Sequence, residues 1–376
     1  MKDILVFFGG KSCEHDVSII TGVLTLNSLD KTLYNPVPVY ITQKGEWLTG
    51  NELKNVSFYK QKNFSKLKRV TLISGDNSLY YVLKNKLKKC ATIYSAINCL
   101  HGLNGEDGTL KGMLKLIGIP TVSPGVFQSA FTIDKQFTKI VLSGLKIKTL
   151  PFTTVNQTRL HTDKQKLFNE ITTKLGYPVI VKPCNLGSSI GIGLASCDAE
   201  LEKALKTAFL YDDKAVVERA LNNPVELNCS AYSYGNKTVI SQVEKPVKTS
   251  DILSFADKYY GFKGCETGRE FPAKISDKLC KKVQETTAKI YEELNFTSII
   301  RIDYLLDGTD LYVNEINSVP GSLAYYLFGD LKHFTSILTS LIKDSVHKEA
   351  EYLSRRFTFS SSVLEIEGAK GGAKNL

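Results

Sequence analysis

Three oxygen-bearing side chains stand close together near the end of the chain: Asp303 in "RIDYLL", and Glu315 and Asn317 in "VNEINS". Two carboxylates and an amide are hard donors, the set that holds Mg²⁺ while leaving coordination positions to water and substrate phosphates. The frame is "SIIRIDYLLDGTDLYVNEINS", where Asp307-Gly308 between two apolar-alternating runs signals a β-hairpin. Side chains alternate across a sheet, so Arg301 and Asp303 share one face of the first strand, and Glu315 and Asn317 one face of the second. Ile300, Ile302, Tyr304 and Leu306 point the other way and pack. Pairing odd positions with odd gathers the four polar groups; slipping by one residue scatters them. Taken alone, such a pattern is more often the solvated face of an antiparallel hairpin.

Other stretches shift that balance. "VIVKPCNLGSSIGIG" sets Lys182 at the end of a buried strand, before a Gly-Ser-Ser loop whose N–H groups and hydroxyls can close over phosphate oxygens. It does not follow the order of a P-loop. Lys135 in "TIDKQFTKIVL" stands near a helix start. In "VVERALNNPVELNCSAY", Glu218, Leu221 and Glu226 bracket a turn, and the two carboxylates can accept from an adenine amino group and ribose hydroxyls. "FFGGKSCEHDVSI" reads as strand, glycine turn and helix start, with Glu14 and His15 where ligands collect in a parallel sheet. Each has a plainer reading: a lysine beside a β-turn, a solvent-facing helical lysine, surface glutamates, and a glutamate favoured by the helix dipole.

The elements that must position these groups fall into three blocks. Short apolar runs alternate with a helical pattern over Ile4 to Phe8, Val17 to Leu29 and Val37 to Ile41, the rhythm of β-α-β units and a parallel sheet. Residues 51 to 90 are lysine-rich and weakly periodic, and their fold is left open. Pattern resumes over Ala91 to Leu100, followed by "HGLNGEDGTLKGMLKLIGIP", a turn-rich loop and short helix. The second block predicts helices over Ser129 to Gly144 and Thr162 to Leu175 and a small α+β unit around "YPVIVKP". The third runs from Val216 through alternating strands, a polar loop over Thr249 to Gly268, a helix from Ser276 to Leu294, the hairpin and a last helix. The division expected is 1–123, an N-terminal α/β substrate domain; 124–214, a small central domain; and 215–376, a C-terminal catalytic domain.

The 376 residues, 43% hydrophobic and 23% charged, describe a globular protein with no apolar run long enough to cross a bilayer. The N-terminus enters a strand directly, without a signal-peptide cleavage pattern, which predicts a cytoplasmic protein. Eight scattered cysteines without a C-x-x-C pair argue against a zinc or disulfide framework. The net charge of +10 is spread along the chain, interleaved with acidic residues, so a small polyanion such as a nucleotide is expected rather than nucleic acid.

In order, "FFGGKSCEHDVS", "CLHGLNGEDGTLKGML", "DKQFTK", "YPVIVKPCNLGSSIGI", "ERALNNPVE", "DKYYG" and "RIDYLLDGTDLYVNEINSVPG" resemble the D-alanine–D-alanine ligase family of the ATP-grasp superfamily. The likeness runs from about Lys2 to Gly321. It implies three α/β and α+β domains, with ATP and two Mg²⁺, for which Mn²⁺ can stand in, held between the central and C-terminal ones. By that resemblance Asp303, Glu315 and Asn317 match metal ligands. Lys135 and Lys182 match phosphate contacts, Glu218 with Leu221 the adenine edge, Glu226 the ribose contact, and Lys258 a residue of the loop covering the nucleotide. Glu14 matches the receiver of the first D-amino acid's ammonium, with His101 nearby and Ser188 and Tyr259 as hydrogen-bonding partners. Arg301 and the Gly321 N–H match the groups that steady an oxyanion, and Ser322 and Leu323 face the second substrate. The resemblance also implies a homodimer.

Such parts suit a carboxylate that attacks the γ-phosphate of ATP to give an acyl phosphate, which an amine then opens. The chain departs from the family after Pro320-Gly321: Ser-Leu-Ala-Tyr-Tyr-Leu-Phe replaces the usual Phe- or Met-Thr, and Tyr326 falls near the place of a serine that touches the acceptor. "ILSFADKYYG" keeps the Lys-Tyr pair but not the Tyr-rich approach to it. The function expected is D-alanyl-D-alanine synthesis for peptidoglycan. The alternatives are a sibling ligase using D-serine, D-lactate or another amino acid, and a nucleotide-binding pseudo-ligase.

Overall fold

A computed structural model describes residues 1–61, 63–235, 237–247 and 268–360. Seven strands build the first sheet: β1 Lys2–Gly9, β2 Tyr34–Ile41, β3 Trp47–Thr49, β4 Lys68–Ile73, β5 Asp76–Val82, β6 Leu87–Asn98 and β7 Thr121–Val122. β1 pairs in parallel with β2 and β6, and β6 with β7, giving the parallel sheet the β-α-β rhythm predicts. The segment left open by the sequence, 51–90, forms two short helices and the antiparallel strands β4 and β5, which carry the chain back to β6.

Alternation along β1 explains why this sheet is buried on both sides. Ile4, Val6 and Phe8 pack with Val23 and Leu26 of the helix His15–Ser28 and with Phe334, Leu338 and Leu341 of the closing helix Leu331–Leu353. Leu5 and Phe7 face the other way, toward Leu110 and Leu114 of the helix Thr109–Ile117. The last helix among the described residues therefore closes the first core.

The second sheet is antiparallel, with β8 Phe152–Asn156, β9 Val179–Pro183, β10 Gly193–Ala195 and β11 Lys214–Arg219 in the order β10-β9-β11-β8. β11 straddles the 214/215 division expected from the sequence, since its hydrogen bonds run to β9 and β8. The helix expected over Ser129 to Gly144 is two, Val126–Ile133 and Lys135–Gly144. Asp134 takes an extended conformation between them, and its carboxylate caps the second by accepting from Gln136 and Phe137 N–H. Phe131 and Leu142 of this pair pack into the third core rather than the second.

That third core lies on β12 Val225–Tyr234, β13 Lys237–Ile240, β16 Ile300–Asp307 and β17 Asp310–Asn317, ordered β13-β12-β16-β17, with the helix Asp277–Glu293 against it. A two-stranded pair, β14 Lys245–Pro246 and β15 Arg269–Glu270, stands at its side.

Candidate active site

The β16–β17 register places Asp303 opposite Glu315 and Arg301 opposite Asn317, odd against odd. Immediately past Asp303 the register shifts and Tyr304 meets Val313, so Asn314 is the extra residue of a β-bulge. Asn314 and Glu315, consecutive in sequence, consequently both line one cavity of about 690 Å³, a size that suits a small-molecule ligand. The even positions Ile300, Ile302 and Tyr304 are buried in the core below.

Arg301 grips Asp303 through two bonds, Nε to Oδ1 at 2.6 Å and Nη2 to Oδ2 at 2.8 Å. Burial opposes the guanidinium charge, but the Asp303 carboxylate outweighs it and holds the pKa well above the ordinary arginine value. Asn317 Nδ2 donates to Arg301 O at 3.4 Å.

The second sheet supplies the cations. Lys182, on β9, lies 2.7 Å from Glu218 Oε2 and donates to Asn314 Oδ1 at 3.0 Å, which ties the two sheets across the cleft. Lys139, four residues after Lys135, reaches the other Glu218 oxygen at 2.7 Å. Burial works to raise the Glu218 pKa, yet the two ammonium groups overcome it and bring it down to about 2. For Lys182, burial is outweighed by Glu218, with Glu315 and Glu226 assisting, and the pKa rises. Lys139 does not line the cavity, and burial lowers its pKa. Lys135 Nζ donates to Leu186 O at 2.6 Å, at the entry to the Gly-Ser-Ser loop.

Ser188 donates its hydroxyl to Glu14 Oε1, joining residues 174 positions apart. Glu14 is packed closely there: a Cβ on Gly102, whose φ is +68°, would lie 2.9 Å from Oε2, and one on Gly187 would lie 3.1 Å from Oε1. His101 is buried behind Thr21, its Nε2 2.8 Å from Thr21 Oγ1, and Thr21 in turn accepts the Ser322 N–H at 3.0 Å. Burial is the main reason the His101 pKa falls to about 4. His15 is held away from this cluster by Gly10 O and Tyr40 Oη.

The cavity wall thus gathers Lys135, Lys182, Glu218, Leu221, Glu226, Arg301, Asp303, Glu315, Gly321 and Ser322 from the residues singled out in the sequence. Leu323 turns into the first core instead, because residues 322–324 coil with φ near +50°. Lys258 and Tyr259 lie outside the described residues.

Sequence reasoning passed over Lys139, Thr21 and Glu106, and gave Asn314 no role. The run Asn-Glu-Ile-Asn, with two polar residues side by side, is the trace of the bulge, and Lys139 stands one helical turn past Lys135. Thr21 belongs to a buried polar stripe, Ser18, Thr21 and Thr25, on the helix His15–Ser28. Glu106 accepts the N–H groups of Gly102 and Val319, both at 3.0 Å, so one carboxylate joins the first sheet's loop to the end of β17. Burial, and then Glu14, raise its pKa.

Two antiparallel four-stranded sheets facing each other across a cleft, with lysines and a Gly-Ser-Ser loop from one and a carboxylate-bearing hairpin from the other, define an ATP-grasp fold. Family models agree: "D-ala D-ala ligase N-terminus" matches residues 3–124 and "D-ala D-ala ligase C-terminus" matches 141–340. The chain belongs to the D-alanine–D-alanine ligase family. It is similar to the D-alanine–D-alanine ligases of Thermosipho melanesiensis, at 37% identity over 98% of this chain and 100% of the relative, and Thermosipho africanus, at 34% with the same coverage. The crystal structure of the Helicobacter pylori D-alanine–D-alanine ligase superposes with a TM-score of 0.75 at 27% identity, covering 92% of this chain and 98% of that one.

Proposed function

We propose that the protein is an ATP-dependent ligase that joins D-alanine to D-alanine through an acyl phosphate, for peptidoglycan precursor synthesis. The observation that carries this reading is the bond from Lys182 to Asn314, which brings the phosphate-binding lysine of one sheet onto the carboxylate hairpin of the other.

Lys135 and Lys182 would neutralise the triphosphate, Glu218 and Leu221 would meet the adenine edge, and Glu226 the ribose. Glu14, held by Ser188, would take the ammonium of the first D-alanine and so aim its carboxylate at the γ-phosphate. Lys258 and Tyr259 would belong to the covering loop. Once the amine of the second D-alanine attacks the acyl carbon, Arg301 and the Gly321 N–H would stabilise the oxyanion, a type of contact worth roughly 3 to 4 kcal/mol per donor. A Cβ on Gly321 would meet nothing within 4 Å, so its backbone is open to a ligand.

Among the described residues no three His, Cys, Asp or Glu side chains cluster as a metal site. Asp303 and Glu315 are cross-strand partners, however, and with the Asn317 amide they suit an ion that completes its shell with phosphate oxygens. Arg301 occupies both Asp303 oxygens, but each carboxylate oxygen can accept twice. Asp303, Glu315 and Asn317 would hold Mg²⁺, two ions by family resemblance with Mn²⁺ able to stand in, and the metal would offset charge on the transferring phosphoryl group.

The domains proposed for these roles are 1–123, 124–214 and 215–376, with β11 hydrogen-bonded to the central sheet. A homodimer in the cytoplasm, with no nucleic-acid partner, completes the reading. No helix among the described residues is long and apolar enough to cross a membrane. Tyr326, beside Arg301, favours keeping a second reading in which D-serine or D-lactate is the acceptor.

Incubation with ATP, Mg²⁺ and a panel of acceptors, followed by phosphate assay and product mass, tests both. D-alanyl-D-alanine is the expected product, and Glu315→Gln should abolish phosphate release with the fold intact. ATP binding without phosphate release for any amino acid would point to a pseudo-ligase, and full activity in Glu315→Gln would move the metal site elsewhere.

A further inference from the structure

Among the described residues on the cavity wall, four are basic: Lys135, Lys182, Arg269 and Arg301. The proposed reaction uses three of them, two lysines for phosphate and Arg301 for the oxyanion. Its stoichiometry leaves one further anion. The donor's carboxylate becomes the new amide, whereas the acceptor keeps its carboxylate from binding to release.

Arg269, on β15, is placed to meet it. Its guanidinium carbon lies 4.6 Å from the centroid of the Tyr326 ring, and the Tyr326 hydroxyl is 3.5 Å from Arg301 Nη1. The two arginines differ in how far their charge is spent. Arg301 turns Nε and Nη2 to Asp303 and keeps Nη1 for the oxyanion, whereas Arg269, its side chain 34% exposed, makes among the described residues one polar contact, a long one from Nη1 to Glu244 Oε1 at 3.5 Å. Glu244 is itself shared, accepting from Asn228 Nδ2 at 3.0 Å. A guanidinium held against an aromatic ring keeps its N–H edge for a carboxylate.

We propose that Arg269, steadied by Tyr326, receives the carboxylate of the acceptor, and that the Tyr326 phenol fills the adjoining space and restricts acceptors to α-amino acids with small side chains. This rests on the ligase reading, deepens it, and assigns acceptor selection to a pair built from β15 and the turn after β17.

The test compares D-alanine with D-alaninamide, which lacks the carboxylate, as acceptor for wild type, Arg269→Met and Arg269→Lys. Wild type is expected to prefer D-alanine. Arg269→Met should raise the acceptor KM and erase that preference by about tenfold or more, the effect of losing a charge-assisted pair. The KM for ATP should stay within about threefold, which also reports an intact fold, and Arg269→Lys should recover part of the preference. Tyr326→Ser should admit a bulkier acceptor. A wild type that ligates while Arg269→Met keeps its preference overturns the role of Arg269 alone, as does an equal rise in the KM for ATP. A wild type that releases no phosphate with any D-amino acid overturns the underlying ligase reading instead.

Discussion

The Lys182 ammonium lies 2.7 Å from Glu218 Oε2, and the second oxygen of that carboxylate is taken by Lys139. One buried anion thus holds two buried cations apart, with Lys182 facing the cavity and Lys139 behind it. Glu218→Gln leaves both cations uncompensated and should cost about 3 to 5 kcal/mol of stability, measured by chemical denaturation. The Glu218 pKa, brought to about 2 from an ordinary 4.5, fixes the pH dependence. The unfolded chain binds this proton first, so the stabilisation is complete above pH 4.5 and is lost as pH falls toward 2. The Gln variant should lose that part of the acid sensitivity.

Lys182→Met should behave differently. Lys139 still pairs one Glu218 oxygen, so the loss of stability should be smaller than for Glu218→Gln, while kcat/KM for ATP should fall by about 100-fold through loss of a charge aimed at phosphate. Steady-state kinetics with ATP varied, beside a thermal melt, separates the two effects.

Gly187→Ala tests the seat of Glu14. The added methyl would lie 3.1 Å from Oε1, tighter than ordinary contact, and must push the carboxylate aside. The KM for the first D-alanine should rise by about tenfold while that for ATP changes less. Equal changes in both would show that Glu14 does not serve the amino acid.

His101 predicts a second pH effect. Its pKa is lowered to about 4 from 6.5, mainly by burial, so the folded protein keeps the ring neutral over a range in which the unfolded chain protonates it. Stability should therefore be full above pH 6.5 and decline on acidification toward pH 4, by up to about 3 kcal/mol from this group. Melting temperatures between pH 7 and 5 should fall less steeply for His101→Gln.

Chelation with EDTA should stop phosphate release, and added Mg²⁺ or Mn²⁺ should restore it. Asp303→Asn should bind the metal more weakly and also loosen Arg301, since the same carboxylate takes both guanidinium bonds.

The chain by itself determined whatever depends on neighbours a few residues apart. The alternation in "RIDYLLDGTDLYVNEIN" and the Asp307-Gly308 turn specified the hairpin, but the register leaving that turn, continued unbroken, would set Asp303 opposite Asn314, and only the bulge brings Glu315 there. The ordered series of motifs marked the family for the same reason, as each motif is a local loop or strand end. Tertiary structure decided the rest. It made Asn314 a bulge residue facing Lys182, placed Thr21 between His101 and Ser322, seated Glu14 against Ser188, sent Leu323 into the core and stacked Arg269 on Tyr326. These relations join residues tens to hundreds of positions apart, and no periodicity encodes them. They exist because three separately packed sheets bring their polar edges to one cleft, where buried charges are stable only when paired.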